Sequence, residues 1–306
     1  MESESGEDHT STNSESKRVA GGAALAAGHV ADVLWAAAAD SPCLREDLAA
    51  LDLTGRPRVG LAGDWHGNLG WAERSLKRLS GLGVRTVLHS GDFGLWPGEQ
   101  GAKYIRRVTA VCEQHDLTIR ITDGNHDDHS RLAMIEPVDG VRWVTDRIGF
   151  FERGHRWLWA DTTLVSLGGA PSVDFEHRTS GKTWWPEEVI TDDEVRSATA
   201  DGHADVMLTH DAPEPALPAV QRILDGPSYW SEAALVYAAE GRAQVTKAFS
   251  GVTPRLLIHG HMHVADRGAV RIPGAPWDTQ VVSLNCDEGV GNLGTLDLES
   301  LNVEVI

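Results

Sequence analysis

The sequence predicts an α/β protein built in layers. From residue 56 onward, short runs rich in β-branched and aliphatic residues alternate with stretches of helical periodicity. The early runs are each followed by a loop crowded with Gly, Asp, His and Asn. Alternating strands and helices favour a sheet whose polar loops gather at the carboxyl ends of its strands. With 306 residues, 41% hydrophobic and 24% charged, the chain can also bury a large core.

The chain divides into three parts. Residues 1–18 are rich in Ser, Thr and Glu and hold no apolar residue except Met1, which predicts a disordered acidic tail. Residues 19–52 are rich in alanine, with valines and leucines at roughly helical spacing, and predict a helical N-terminal region. The remaining residues, 53–306, are expected to form the main domain.

The main domain is predicted to contain strands along its whole length, with a helix after each of the first two strands. We expect strands at 58–62, 84–89, 117–122, 162–167, 205–209, 255–259, 280–284 and 295–298, and helices at 69–82 and 99–115. Because fewer long helices separate the later strands, we expect a second, more antiparallel sheet. The glycines at 289–294 match G-x-G-x-x-G, but strand-like residues follow them. We therefore expect a glycine-rich hairpin there rather than a dinucleotide site.

Charge and cysteine content exclude several classes of protein. The formal net charge is −18 and no long basic stripe offsets it, which disfavours nucleic acid as a partner and a nuclease activity. The three cysteines are widely separated, so they predict neither a disulfide framework nor a CxxC zinc site, and a reducing cytoplasm is the expected location. No apolar run is long enough to predict a membrane-spanning helix.

Potential metal ligands follow five of the predicted strands. They are Asp64, His66, Asp92, Asn125, His210, His261 and His263. Oxygen and imidazole ligands without thiolates suit Mn²⁺, Fe or Zn²⁺, and seven are more than one ion takes from a protein. The sequence therefore predicts two divalent ions that share a carboxylate, with Mn²⁺ favoured. Such a pair can hold a bridging hydroxide for attack on a phosphoryl group, which is the chemistry of phosphoester hydrolysis.

Five ordered blocks between residues 56 and 265 carry a specific resemblance. They are Asp64-Trp-His66, Gly91-Asp92, Gly124-Asn125-His126-Asp127, Thr209-His210 and Gly260-His261-Met-His263. Together they resemble the signature of the calcineurin-like metallophosphoesterase superfamily. The resemblance implies a four-layer α-β-β-α sandwich with a dinuclear metal centre at the strand ends.

The resemblance also implies a role for each residue of these blocks. One ion would bind Asp64, His66, Asp92 and His263. The other would bind Asp92, Asn125, His210 and His261, so that Asp92 bridges the two ions. His126 would contact the phosphate and protonate the leaving oxygen, since imidazole titrates near neutral pH. Asp127 would either orient His126 or simply end the loop.

A long loop after the strand at 162–167 is a candidate rim for the substrate. Arg178 and Lys182 could neutralise a phosphate there, while Trp184 stacks on a base or another ring. The alternative is that Trp184 and Trp185 are packing anchors and that the two cations form surface ion pairs.

The sequence thus predicts a metal-dependent hydrolase that acts on small phosphoesters. The protein-phosphatase branch of the family has a second Asp where this chain has Leu95, which weakens that assignment. The tryptophan-rich rim favours phosphodiester or nucleotide-type substrates. A phosphomonoesterase and a catalytically silent metal-binding scaffold are the alternatives, and the oligomeric state stays open.

Overall fold

A computed structural model of the protein describes residues 49–306. The predicted acidic tail, 1–18, and residues 19–48 of the predicted helical region lie outside the described residues. Both predictions therefore stay predictions.

The described chain contains thirteen strands and six α-helices. The strands are β1 Arg58–Ala62, β2 Thr86–His89, β3 Thr118–Ile121, β4 Val141–Trp143, β5 Ile148–Phe151, β6 Arg156–Trp159, β7 Thr162–Leu167, β8 Val206–Thr209, β9 Leu256–His259, β10 Asp266–Arg271, β11 Asp278–Ser283, β12 Leu293–Asp297 and β13 Val303–Val305. The helices are α1 Leu69–Gly81, α2 Gly98–His115, α3 His129–Ala133, α4 Asp192–Thr199, α5 Pro218–Leu224 and α6 Glu232–Val252.

The strands form two mixed sheets. The first has the order β13-β12-β1-β2-β3-β5-β4, and the second has the order β10-β11-β9-β8-β7-β6. Strands β1, β2, β3 and β5 run parallel in the first sheet, as do β7, β8, β9 and β11 in the second. Antiparallel strands lie at the edges of both sheets.

The expectation that the second sheet is more antiparallel was wrong. Its four central strands are parallel, because helices α4 and α6 provide the long crossovers from β7 to β8 and from β8 to β9, and strand β10 lies in the crossover from β9 to β11. Helix α6 was not predicted from the sequence, because its buried face consists mostly of small residues, including Ala234, Ala238 and Ala248. Such a face gives little apolar periodicity to detect.

The apolar side chains form three layers between four layers of secondary structure. Neighbouring residues of one strand point to opposite faces, so Leu61 and Leu208 meet between the two sheets. Ala62 packs under the helices α1 and α2, and Met207 packs under the helices of the second sheet. The predicted four-layer sandwich is therefore confirmed. Burial of each large aliphatic side chain in these layers stabilises the fold by about 1.5–3 kcal/mol.

The glycine-rich segment at 289–294 does not form the expected hairpin. It lies in the connection between β11 of the second sheet and β12 of the first, so it crosses from one sheet to the other. Strand β12 begins inside the glycine pattern, and a dinucleotide fingerprint would need a helix there. Within residues 49–306, no helix combines the length and apolar character that crossing a bilayer requires.

Candidate metal centre

All seven predicted ligands follow carboxyl ends of parallel strands, at one edge of the sandwich. Two groups of ligand atoms each lie within 4.8 Å of one another: one contains His66, Asp92 and His263, and the other contains Asp92, His210 and His261. Asp92 belongs to both groups. The fold therefore brings five of the predicted ligands into two adjacent clusters joined by one carboxylate.

Asp64 and Asn125 lie beside these clusters. The Asn125 Oδ1 atom is 3.0 Å from His210 Nε2. Asp64 is fully buried, and its Oδ2 accepts a hydrogen bond from the His261 backbone N–H at 2.9 Å. Its Oδ1 is buried without a hydrogen-bond partner among the described groups, and such a carboxylate oxygen is costly unless a cation meets it. The donor set and this unsatisfied oxygen fit a pair of divalent ions.

The backbone at the predicted ligands is strained. Positive φ angles occur at Asp64 (29°), His66 (46°), Asp92 (50°), His261 (64°) and His263 (50°). Residues with a side chain rarely adopt this region, and each instance costs on the order of 1–3 kcal/mol. Tight turns of this kind bring both members of the Asp-x-His and His-x-His pairs to one site. Of the extended and turning backbones that a spacing of two residues allows, the structure has the turn.

Glycines make room for the ligands. A Cβ atom at Gly91 would lie 2.3 Å from His210 Nδ1, and one at Gly124 would lie 2.2 Å from the Asp92 backbone nitrogen. At Gly260 it would lie 2.7 Å from Asp64 Oδ1. These glycines therefore permit the close approach of the loops that carry the ligands.

The buried carboxylates dominate the electrostatics of the centre. Burial raises the pKa of Asp64 to about 7, whereas His210 and His126 outweigh burial at Asp92 and hold its pKa well below the usual range. Burial disfavours the charged form of His66, but Asp92 and Asp64 outweigh it and raise the pKa to about 9. Burial likewise disfavours the charged form of His210, but Asp92 and Asp64 outweigh it and raise the pKa to about 10. Positive charge is thus favoured around both carboxylates, and protons compete with metal ions for these ligands.

Two histidine rings are oriented by hydrogen bonds on the side away from Asp92. His210 Nδ1 lies 2.7 Å from the Ser90 carbonyl oxygen, and His66 Nδ1 lies 3.2 Å from Asp287 Oδ1. Their Nε2 atoms lie 3.4 and 3.3 Å from Asp92 carboxylate oxygens. Such partners fix the ring and tautomer of a metal-ligating histidine. Sequence reasoning missed Asp287, because it lies in a connecting loop that carries no motif.

His126 and Arg178 form the open side of the centre. The His126 backbone N–H donates to Asp92 Oδ1 at 2.8 Å, and the half-buried ring faces the Arg178 guanidinium. Arg178 Nη1 lies 3.1 Å from Nδ1 and Nη2 lies 2.7 Å from Nε2 of that ring, while Asp174 pairs with Arg178 Nε at 2.6 Å. Burial lowers the pKa of His126 to about 4, and the Arg178 charge adds to this effect. The predicted rim therefore contributes a cation beside the ligands.

Asp127 binds backbone rather than His126. Its buried carboxylate accepts hydrogen bonds from the backbone N–H groups of Gly94, Leu95 and Gly124, each at 3.1 Å. Of the two roles expected for Asp127, this geometry fits the end of a loop and not the orientation of His126. The carboxylate fastens the loop after β3 to the loop after β2.

The other two predicted rim residues, Trp184 and Lys182, do not share the position of Arg178 beside His126. Trp184 is half-buried, donates from Nε1 to Glu188 Oε1 at 2.9 Å and packs on Phe175, so it is a packing anchor. Lys182 lies on an exposed turn, and none of the ion pairs found among residues 49–306 includes it. The prediction that both contact substrate has no support from these contacts.

Known proteins were compared with the chain by sequence and by structure. The family model of the calcineurin-like phosphoesterases matches residues 57–265, from β1 to the loop after β9. No curated protein matches the sequence. The solved structure of TT1561 from Thermus thermophilus is 14% identical with a TM-score of 0.51, and covers 82% of this chain and 98% of that one. A dimetal phosphatase from Danio rerio is 12% identical with a TM-score of 0.48, and covers 79% and 92%. The likeness to TT1561 shows a shared fold.

Proposed function

The chain belongs to the calcineurin-like phosphoesterase family, and from this premise we propose that Asp92 is the bridging ligand of a two-metal centre that hydrolyses small phosphodiester or nucleotide-type substrates. Membership makes the protein a phosphoester hydrolase. The observation that carries the finer proposal is the position of Asp92 in both ligand clusters.

The proposed ligand sets follow the two clusters. Asp64, His66, Asp92 and His263 would hold one ion, and Asp92, Asn125, His210 and His261 would hold the other. The mixture of carboxylate, amide and imidazole supports Mn²⁺, with Fe and Zn²⁺ as alternatives. When bound, two such ions supply a hydroxide nucleophile and positive charge for the phosphoryl oxygens.

The chain's own groups would bind and orient the ester. Arg178, held by Asp174, faces the His126 ring at the open side of the centre, so a phosphate entering there meets a guanidinium and an imidazole. We assign to His126 the protonation of the leaving oxygen, a role it could take only once a bound phosphate offsets the Arg178 cation, since both ring nitrogens face that guanidinium and its pKa is about 4. The Asp127 carboxylate holds the loop that carries both His126 and Asn125.

The proposed preference for a diester rests on the charge of the rim and on an exposed aromatic ring beside it. Arg178 is the rim cation that contacts His126, while Lys182 is exposed, and a single cation suits the single negative charge of a diester. Trp230, on the loop before α6, is 41% exposed, and its ring lies 6.1 Å from that of His177 on the rim loop, which gives an aromatic surface beside the rim. A monoesterase is the alternative, and a silent scaffold is disfavoured because His126 and every predicted ligand are present.

The extent of the catalytic domain and the cellular location are also proposals. We assign residues 53–306 to one catalytic domain, since β12 and β13, beyond the family match, pair alongside β1 in the first sheet. The unpaired thiols of Cys112 and Cys286 support the cytoplasm as the location.

The test is hydrolysis of a chromogenic phosphodiester and the matching monoester by Mn²⁺-loaded protein. We expect Mn²⁺-dependent cleavage of the diester above that of the monoester, and no turnover by Asp92→Asn. Arg178→Ala should raise KM for the diester about 10- to 100-fold, because a hydrogen bond to a charged group contributes roughly 1.5–3 kcal/mol. Lys182→Ala, a matched loss of one rim cation, should leave KM within about twofold.

The alternatives correspond to distinct outcomes. Cleavage of the monoester alone would make the protein a phosphatase. Two bound ions without turnover of either ester would favour the scaffold. Full activity of Asp92→Asn would overturn the proposed centre.

A further inference from the structure

A buried carboxylate outside the ligand clusters gathers four hydrogen bonds. Glu188 ends a short 3-10 helix near the end of the loop between β7 and α4 and has no exposed surface. Its Oε1 accepts from the Ser172 backbone N–H at 2.6 Å, from Trp184 Nε1 at 2.9 Å and from the Tyr237 hydroxyl at 3.0 Å. Its Oε2 accepts from the Ser172 hydroxyl at 2.6 Å. Neither the proposed ligand sets nor the proposed mechanism uses this residue.

The direction of the bond from Ser172 to Glu188 determines which end of the Asn125 amide faces the candidate metal centre. A serine hydroxyl has a single hydrogen, and Ser172 donates it to Glu188. The Ser172 oxygen can therefore only accept from its other neighbour, the Asn125 Nδ2 at 2.9 Å. The opposite end of that amide, Oδ1, then faces His210 Nε2. An asparagine amide taken alone could present either end.

We propose that Glu188 is a positioning residue that acts through Ser172 to orient the Asn125 amide, so that its carbonyl oxygen and not its NH₂ group is offered to the metal. The inference rests on the proposed function, because it assigns Asn125 as a ligand. Metal ions bind carbonyl oxygen, whereas an amide NH₂ group has no lone pair to offer.

The position of Glu188 is itself held by the neighbouring helix. Tyr237 of α6 donates to the carboxylate, and one turn later Gly241 meets the loop so closely that a Cβ atom there would lie 2.0 Å from Pro171 Cδ. The loop segment that carries Ser172 is thus wedged between α6 and the centre. This packing leaves the Ser172 hydroxyl little freedom to choose other partners.

Glu188→Gln tests the inference with almost no change of volume. The Gln oxygen can accept the bonds made to Oε1, but its NH₂ group must donate to the Ser172 oxygen. The hydroxyl then donates toward Asn125, whose amide must turn its carbonyl away from the metal. We expect one Mn²⁺ ion to bind 10- to 100-fold more weakly, the range typical when a partner that orients a metal ligand is lost, while the other keeps its affinity.

Binding is measured with Mn²⁺ alone by calorimetry and by electron paramagnetic resonance. The measurement is made at pH 8, above the pKa of about 7 to which burial raises Glu188. Ser166→Ala is the matched control, because Ser166 is a buried hydroxyl that bonds Thr122 at 2.9 Å and lies outside the network. It should bind both ions as the parent does. Tyr237→Phe removes one donor but leaves the Ser172 hydroxyl unchanged, so it should weaken neither ion by more than about threefold.

A double variant separates orientation from general damage. In Asn125→Asp the new carboxylate faces the lone pairs of Ser172, and adding Glu188→Gln lets Ser172 donate to it. The inference predicts that Glu188→Gln weakens Mn²⁺ binding in the parent but strengthens it in Asn125→Asp. A merely structural role for Glu188 would weaken binding in both.

The outcomes distinguish this inference from the proposed function. If the parent binds two Mn²⁺ ions and Glu188→Gln binds them equally well, the orienting role is overturned while the metal centre stands. The same conclusion follows if Glu188→Gln weakens binding in both backgrounds. If the parent binds no Mn²⁺, the proposed function itself fails.

Discussion

Replacement of Gly91 by alanine should displace His210, a proposed metal ligand, although Gly91 itself belongs to neither proposed ligand set. The added Cβ atom would lie 2.3 Å from His210 Nδ1, where ordinary contacts begin near 3.4 Å, so the ring must move by about 1.1 Å. His210 is fully buried, and its Nδ1 lies 2.7 Å from the Ser90 carbonyl oxygen. A ring that moves this far loses that hydrogen bond and overpacks its surroundings.

The destabilisation can be estimated from these two effects. Overpacking a buried site costs about 1–3 kcal/mol and the lost hydrogen bond about 0.5–1.5 kcal/mol, which sum to roughly 1.5–4.5 kcal/mol. Gly91 also has a φ of 95°, which strains any residue with a side chain. Gly274→Ala is the control for that strain, since Gly274 has a φ of 85° and no atom within 4 Å of the added Cβ.

Urea unfolding of both metal-free variants in the presence of a chelator measures the loss of stability. Mn²⁺ titration of the folded variants measures the effect on metal binding. Gly91→Ala should lose roughly 1.5–4.5 kcal/mol more than Gly274→Ala, and one of its two ions should bind at least tenfold more weakly. Equal stability of the two variants, or undiminished binding of both ions to Gly91→Ala, would refute the reasoning.

Three other predictions concern stability and thiol chemistry. Arg153 and Asp123 form a buried ion pair at 2.7 Å, so Arg153→Met should lower the free energy of unfolding by about 3–5 kcal/mol in a denaturant titration, and a loss below about 1 kcal/mol would contradict this. Burial raises the pKa of the Cys112 thiol to about 12, so little thiolate exists at pH 8, and mass spectrometry should find native Cys112 unmodified by iodoacetamide. Cys286 should react because its side chain is half-exposed, although burial and Asp287 raise its pKa as well. Modification of both thiols at equal rates would count against that burial. Removal of metal by a chelator should lower the midpoint of thermal unfolding, because the buried carboxylates of the proposed centre lose their counter-charges. If metal-free and Mn²⁺-loaded protein had the same midpoint, no bound ion would stabilise the fold.

The sequence predicted most strands because they are short apolar runs. It missed, among others, the two edge strands Val141–Trp143 and Arg156–Trp159, in which arginine and tryptophan replace the usual aliphatic pattern. The cation of Arg120 covers the rings of Trp143 and Trp159 at 5.5 and 5.1 Å, so these strands are stabilised by contacts made only after folding.

The proposed ligands could be selected from the sequence because each follows a strand within a short motif. Their supporting partners were not, since folding brings them from far along the chain. Asp287 lies 221 residues from His66, and Ser172 lies 47 residues from Asn125. The positive φ angles at the proposed ligands arise from the loops in their tertiary setting, and the enrichment of Asp and His at positive φ is too weak to single out these positions in the sequence.

The most direct test of the two-metal hydrolase is a titration of the metal-free protein with Mn²⁺, with bound metal and diester hydrolysis measured on the same samples. The account predicts that activity rises until two ions are bound per chain. His261→Ala and His263→Ala should each lose one ion, and Asp92→Asn should lose the activity altogether. Full hydrolysis by metal-free protein, or saturation at one ion per chain in the parent, would contradict a centre built around a shared Asp92.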